Sequence, residues 1–361
     1  GPICRNGPEG AGHKLDLSPF SASTPIQLGE PTVVARGSVV PFGWVSAYDN
    51  RFLFVAYNSK DKSKAVAKAV YTDDGGKSWK PLPEPAARNL DHGTARGSAI
   101  DAAGDGVAVS SGLGCAGLGH ANPRQHLTKY TFTGTSFKAE LPTILDSDIR
   151  HCGSNVSVVR LPSGPHRGRL WASWGQIGRA HSVCVHAKCS DDDGRTWVPW
   201  GKGALVPGSE ASEWSDGTYG YPETVIAPYG SHVACFWRHK RRCGVLWSIY
   251  DGTGWSPPCE VSSITLDGMD GAYRATMSAV TKGETEVFFT ATGFDTVLRF
   301  DGRSWNAAPI QCEDGGMLSL AGDVVTLFTA GTVNRRPRAA PRSSSVPPGP
   351  PRGTGAVRRR C

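Results

Sequence analysis

Apolar residues along the chain come in short runs, at residues 52–57, 65–71, 170–174, 233–237 and 286–290, separated by stretches rich in Gly, Pro, Asp and Asn. Runs of that length bounded by turn formers predict β-strands. No segment keeps apolar residues at helical spacing for three turns. The 45 Gly and 26 Pro among 361 residues also disfavour long helices. The pattern predicts an all-β chain.

The polar stretches between the runs are themselves patterned. Thr72-Asp73-Asp74-Gly75-Gly76-Lys77-Ser78-Trp79 recurs as Ser190-Asp191-Asp192-Asp193-Gly194-Arg195-Thr196-Trp197. In such a turn Asp74 and Asp192 accept from backbone N–H groups, Gly76 and Gly194 take positive φ, and Trp79 and Trp197 pack beneath. The motif is a turn staple, not a catalytic device. Reduced copies end on aromatic residues at Thr133-Gly134-Thr135-Ser136-Phe137, Asp251-Gly252-Thr253-Gly254-Trp255 and Asp301-Gly302-Arg303-Ser304-Trp305. The closing aromatics therefore stand at 79, 137, 197, 255 and 305, with intervals of 58, 60, 58 and 50 residues. That period suits four-stranded propeller blades with long connections.

Five blades are marked in this way, and ring closure asks for a sixth. The strand-forming segments left over are residues 26–40 and 317–329. Strands from the two ends of the chain sharing one blade would leave no open sheet edge. The expected organisation is an N-terminal extension over residues 1–25, a six-bladed β-propeller over 26–333 and a tail over 334–361. The tail holds eight Arg, many Pro, Ser and Gly and no acidic residue, so it lacks the apolar side chains for a core and is expected to be disordered.

Those eight charges account for the basic balance: subtracting them from the formal +7 leaves −1 for the rest. A nucleic-acid interface needs basic residues clustered on a folded face with aromatic platforms, and none is visible. Ten Cys suit an oxidising compartment, so a secreted or periplasmic protein is expected. Cys235 and Cys243 flank a probable hairpin tip and are candidates to pair across it. Cys184 and Cys189, five apart on a strand, point to opposite faces and are not. Asn155-Val156-Ser157 is a glycosylation sequon. No cysteine pair has a zinc-ribbon spacing, and no apolar run is long enough to span a bilayer. The chain starts Gly1-Pro2 without a basic-apolar leader, which reads as a processed, truncated or tagged start.

The repeated turns resemble the Asp-boxes (BNR repeats) of the sialidase superfamily, whose members are six-bladed propellers, and they cover about five blades of this chain. The resemblance implies an exo-glycoside hydrolase acting on a terminal acidic sugar, sialic acid or a similar one. Asp61, in the segment Asn58 through Val66 ahead of the first box, is similar in placement to the family's acid/base Asp. It would protonate the departing glycosidic oxygen and later activate water. Sialidases use a Tyr nucleophile because the anomeric carbon carries a carboxylate that repels an incoming anion, and a neighbouring Glu activates that Tyr. Tyr273 in Gly271-Ala272-Tyr273-Arg274 resembles it, with Tyr221 in Tyr219-Gly220-Tyr221-Pro222-Glu223 a second candidate. Glu213, or Glu210 beside it, would be the base. Three Arg hold the substrate carboxylate in that family. Arg36, Arg96, Arg150 and Arg274, read as standing at inner-strand starts, are the candidates here. The resemblance implies no cofactor, leaves a Ca²⁺ on the propeller axis open, and suits a monomer with an acidic glycan or polysaccharide as its partner.

Two other readings come from the residues. His92-Gly93-Thr94-Ala95-Arg96 and Arg150-His151-Cys152-Gly153 put His beside Arg at two successive blade starts. That is the equipment of a polysaccharide lyase, in which Arg neutralises a uronate carboxylate and His or Tyr takes the α-proton. His120, Tyr221, His232 and His239 widen that choice. A non-catalytic binder would use Trp44, Trp171, Trp174, Trp214 and Trp237 as stacking surfaces.

Overall fold

In the computed structural model, the structure describes residues 9–36, 39–40, 47–48, 52–61, 64–74, 77–83, 100–103, 106–113, 124–139, 143–146, 152–177, 183–199, 203–209, 224–239, 244–261, 277–291, 295–310 and 316–329. Among them there are strands and turns and no helix. Accordingly no helix is long and apolar enough to cross a membrane.

The chain opens with β1 (Glu9–Asp16), β2 (Gln27–Leu28) and β3 (Thr32–Arg36). Five antiparallel sheets follow, each written outward from its innermost strand. The first has β4 (Val39–Val40) and β5 (Ala47–Tyr48) both on β6 (Phe52–Asp61), then β7 (Lys64–Thr72) and β8 (Lys80–Pro81). The second has β9 (Ile100–Ala103), β10 (Gly106–Leu113) and β11 (Arg124–Phe132), with β12 (Phe137–Ala139) and β13 (Thr143–Asp146) both on β11. The third runs β14 (Cys152–Arg160), β15 (Leu170–Ile177), β16 (Val183–Ser190) and β17 (Ala204–Leu205). The fourth runs β18 (Thr224–Tyr229), β19 (His232–His239), β20 (Gly244–Tyr250) and β21 (Cys259–Glu260). The fifth runs β22 (Met277–Lys282), β23 (Glu286–Ala291), β24 (Thr296–Phe300) and β25 (Trp305–Pro309).

The sixth sheet draws on both ends of the chain. Its inner strands are β26 (Met317–Ala321) and β27 (Val324–Thr329); β1 pairs with β27, and β2 and β3 pair with β1 outside it. The innermost strands β5, β9, β14, β18, β22 and β26 touch in that order, and β26 returns to β5. The ring is a closed six-bladed propeller.

Closure by both ends agrees with the sequence reading, but its boundary does not. Glu9–Asp16, expected in an extension outside the propeller, is the third strand of the closing sheet. Its Glu-Gly-Ala-Gly start has little apolar alternation, and that absence has a use. A Cβ at Gly12 would lie 2.7 Å from the Phe328 ring, which packs at 6.0 Å on Trp79 of the first box. Val39–Val40, read with the closing blade, begins the first sheet instead.

The core consists of layers between neighbouring blades. Phe289, Val287 and Leu298 of the fifth sheet meet Phe236, Trp247 and Val245 of the fourth. One residue along the pleat, Phe288 faces the other way, toward Leu318, Val325 and Leu327. Burying each such side chain stabilises by roughly 1.5–3 kcal/mol. Hydroxyls stitch the same seams: Ser157 Oγ accepts the Ile226 N–H at 3.1 Å, and Ser278 Oγ accepts the Leu318 N–H at 2.8 Å. Ser157 is thus buried in an inner strand and holds the next blade, so the sequon Asn155-Val156-Ser157 is folded into β14.

Cys235 is a free thiol, fully buried among Val233, Trp237 and Ile226. Its candidate partner Cys243 lies outside the described residues. Burial raises the Cys235 thiol to about 11, against the lowering effect of the Thr224 and Ser173 hydroxyls. Cys189 is a free thiol as well, so it is not paired with Cys184, in keeping with their opposite faces.

Candidate functional site

The propeller has two chemically distinct ends. The box turns follow the third strand of each blade and so gather at one of them. In the third blade Ser190 Oγ donates to Asp192 Oδ1 at 2.8 Å, and Asp192 Oδ1 accepts the Thr196 N–H at 2.8 Å. Asp193 and Gly194 both take left-handed φ, 63° and 84°, and Trp197 is buried below with its Nε1 donating to Gly194 O at 3.1 Å. Asp74 repeats the arrangement with Thr72 and Ser78. Gly76 lies outside the described residues.

The reduced copies use a shorter staple. Asp251 accepts the N–H groups of Thr253 and Gly254 at 2.8 and 2.9 Å, and Asp301 those of Arg303 and Ser304 at 2.9 Å each. The structure adds a sixth turn that sequence reading missed. Asp16 accepts the Ser18 N–H at 3.0 Å, and Phe20, four residues after Asp16, packs on Phe288 at 6.2 Å. The Asp-to-aromatic spacing of four, shared with Asp251–Trp255 and Asp301–Trp305, was the available signal.

The carboxylates of Asp74, Asp192, Asp251 and Asp301 are unsuited to acid/base work. Hydrogen bonds from Thr196 lower Asp192 to about 2, and those from Thr253 and Gly254 lower Asp251 to about 2. Their lone pairs are engaged by the turns and they stay ionised at neutral pH. The box end is structural.

The end of β6 at Asp61 and the starts of the inner strands lie at the other end. Asp61 is the last residue of β6, its Cα paired with Lys64. The apolar run ends at Tyr57, but β6 continues four residues past it, because Asn58, Ser59 and Lys60 pair with Ala67, Val66 and Ala65. A polar sequence is tolerated there because cross-strand pairing, not intrinsic propensity, decides. Val39, at the start of an inner strand, is opposite Ser59, so Asp61 and that start share an end. The other blades repeat the register, with Cys152 opposite Ile177, Thr224 opposite Trp237 and Met277 opposite Ala291.

His92, Arg96, Arg150, His151, Glu213, Tyr221, Tyr273 and Arg274 lie outside the described residues. In the chain they precede inner strands: His92 and Arg96 before β9, Arg150 and His151 directly before β14, Glu213 and Tyr221 before β18, Tyr273 and Arg274 before β22. Those strands start at the Asp61 end.

Arg36 needs correction. It ends β3, opposite Glu9, on the outer edge of the closing sheet and not at an inner-strand start. With β1 third in its sheet, the strands that follow it can only lie further out. His232, weighed as a lyase residue, begins β19 at the box end. Trp171, Trp174 and Trp237 are buried and offer no stacking surface; Trp44, Trp214 and His120 lie outside the described residues.

Sequence reading also passed over Cys184 and His186, which alternate onto one face of β16, with Sγ and Nε2 3.2 Å apart and the Trp174 ring stacked on the imidazole at 6.3 Å. The i, i+2 spacing of Cys-Val-His was the signal. Among the described residues no group of three His, Cys, Asp or Glu could hold a metal ion.

No family model matches the sequence, and no curated protein matches it. Solved structures do. The Hadza microbial sialidase Hz136 superposes with a TM-score of 0.56 at 13% identity over 84% of this chain and 72% of its own. The Trypanosoma rangeli sialidase in complex with the inhibitor DANA gives 0.53 at 12% identity over 86% of this chain and 57% of its own. The chain shares its fold with sialidases. At such identities the likeness extends to the propeller and not to side chains, and the chain spans little more than half of the Trypanosoma protein.

Proposed function

We propose that the protein is a sialidase-like exo-glycoside hydrolase that removes a terminal acidic sugar from a glycan or polysaccharide. The observation that carries this reading is the strand register, which brings the end of β6 at Asp61 to the same end as the inner-strand starts that follow Arg150, Tyr221 and Arg274. The opposite end is committed to turn staples, and the fold is one that sialidases share.

Asp61 protonates the leaving glycosidic oxygen while Tyr273 Oη attacks the anomeric carbon and Glu213 takes the phenolic proton. Water that Asp61 deprotonates then attacks the anomeric carbon, the glycosyl–tyrosine bond breaks, and Glu213 returns its proton to the departing Tyr273 Oη. Arg96, Arg150 and Arg274 hold the sugar carboxylate; Arg36, on an outer strand, is left out. Such a site uses no metal. Burial of Trp171, Trp174 and Trp237 counts against a purely binding role, and His232, at the box end, drops out of the lyase candidates. The oxidising compartment expected from ten cysteines draws no support from Cys189, Cys235 and Cys259, which are free thiols.

The deciding experiment incubates pure protein with a fluorogenic aryl sialoside and, separately, with uronate polysaccharides followed by ultraviolet absorbance. Fluorescence that disappears in Asp61→Asn and Tyr273→Phe supports the hydrolase. Absorbance that disappears in His151→Ala replaces it with a lyase, and silence from folded protein on both substrates removes both activities.

A further inference from the structure

One contact at the box end has the makings of a pH-dependent joint, independent of the proposed activity. The turn at residues 161–169, between β14 and β15, is fastened to its own blade. Arg160, buried, donates to Gly168 O at 2.8 Å and to Asp193 Oδ1 at 2.6 Å, and Arg169 grips Asp191 through two bonds of 2.6 and 2.8 Å. The tip of the turn leans on the fourth blade. A Cβ at Gly164 would stand 3.3 Å from Ser231 Oγ, and the His166 and His232 rings are 5.4 Å apart.

His232 is closely caged. Tyr250 meets it edge to face at 5.6 Å, and a Cβ at Gly252 would come within 2.7 Å of its Nε2. Its Nδ1 is buried with no hydrogen-bond partner among the described residues. The charged or titratable groups acting on it are His166 and Arg169 from the third blade and Asp251 from the fourth. The Asp251 carboxylate is already committed to Thr253 and Gly254. The fifth blade reaches this hairpin through uncharged groups: Gly230 N–H donates to Glu284 O, the Thr281 hydroxyl donates to Pro228 O, and the Phe300 ring lies against Tyr229.

We propose that the His166–His232 contact is an acid-released latch between the third and fourth blades: protonating His232 sets a charge beside His166 and the Arg169 guanidinium and frees the 161–169 turn from its neighbour. Burial, then His166 and Arg169, holds the His232 imidazole below its usual range, with Asp251 opposing them. A depressed His keeps its stabilising effect above the unfolded value, here 6.5, and loses it as pH falls from there toward the lowered folded value.

Hydrogen exchange at pH 7.5 and 5.0, corrected for intrinsic exchange, tests the latch. Peptides over residues 161–169 and 229–233 are expected to lose more protection than peptides over 285–300, because only the former border the imidazole that gains the charge. His232→Gln, neutral throughout, should abolish that difference, and His166→Gln should reduce it. An equal loss in His232→Gln, or none in the wild type, overturns the proposal. So does an NMR titration of the wild-type His232 ring with a midpoint at or above 6.5, a measurement that stands even if the variants fail to fold.

Discussion

One end of the propeller is a ring of stapled turns, and the other is where the inner strands start and β6 meets β7 in a hairpin. At the box end, Asp74, Asp192, Asp251 and Asp301 close turns, each carboxylate held by backbone N–H groups within two to four residues. At the other end, Asp61 has left the box pattern and stands where a second strand terminates beside the inner-strand starts. A carboxylate engaged by its own turn is lost to chemistry. The repeated end therefore supports the fold, and the end without a repeat is the one to search for function.

Substitutions can break this division. The largest effect is expected from Asp61→Asn, which should lower turnover of a sialoside about 10²- to 10⁴-fold while leaving the melting temperature unchanged. Retained turnover, or a fall in melting temperature, would put Asp61 among the structural carboxylates. Trp237→Ala should do the reverse and cost about 3–5 kcal/mol in denaturant unfolding, since the side chain is fully buried between the third and fourth blades.

Asp192→Ala sharpens the comparison further. Losing the acceptor for Thr196 and Ser190 should lower the melting temperature by a few degrees without changing KM, as calorimetry and kinetics on one preparation would show. The smallest effect is a pH dependence. Carboxylates lowered from 3.8 to about 2 contribute stability that is fully present above 3.8 and is lost as pH falls through about 2. Urea midpoints between pH 5 and pH 2 should therefore show a box-end loss below pH 4 that Asp192→Asn and Asp251→Asn diminish.

Local signals account for what the sequence made readable. The boxes at Asp74 and Asp192 were legible because each is a self-contained turn whose hydrogen bonds lie within a few neighbours. Phe52 through Tyr57 and Val233 through Trp237 were legible as strands from apolar runs. The strand at Glu9–Asp16 was not, since its pairing with β27 bridges more than three hundred residues and its glycines serve the approach of Phe328. Arg36 was misplaced for a related reason: its strand belongs to the outer edge only because β1 had already taken the third position. The candidate site was legible as residue types, but which end of the fold those residues flank came from the register.

The sequence by itself determined an all-β chain built from repeated stapled turns and closed by its two termini, because these are encoded within a few residues or by a regular period. The tertiary structure alone decided which tryptophans are core, which cysteine is sealed, and which two imidazoles meet. Those outcomes depend on the face each strand turns to the next blade, and pairing between distant segments fixes that face.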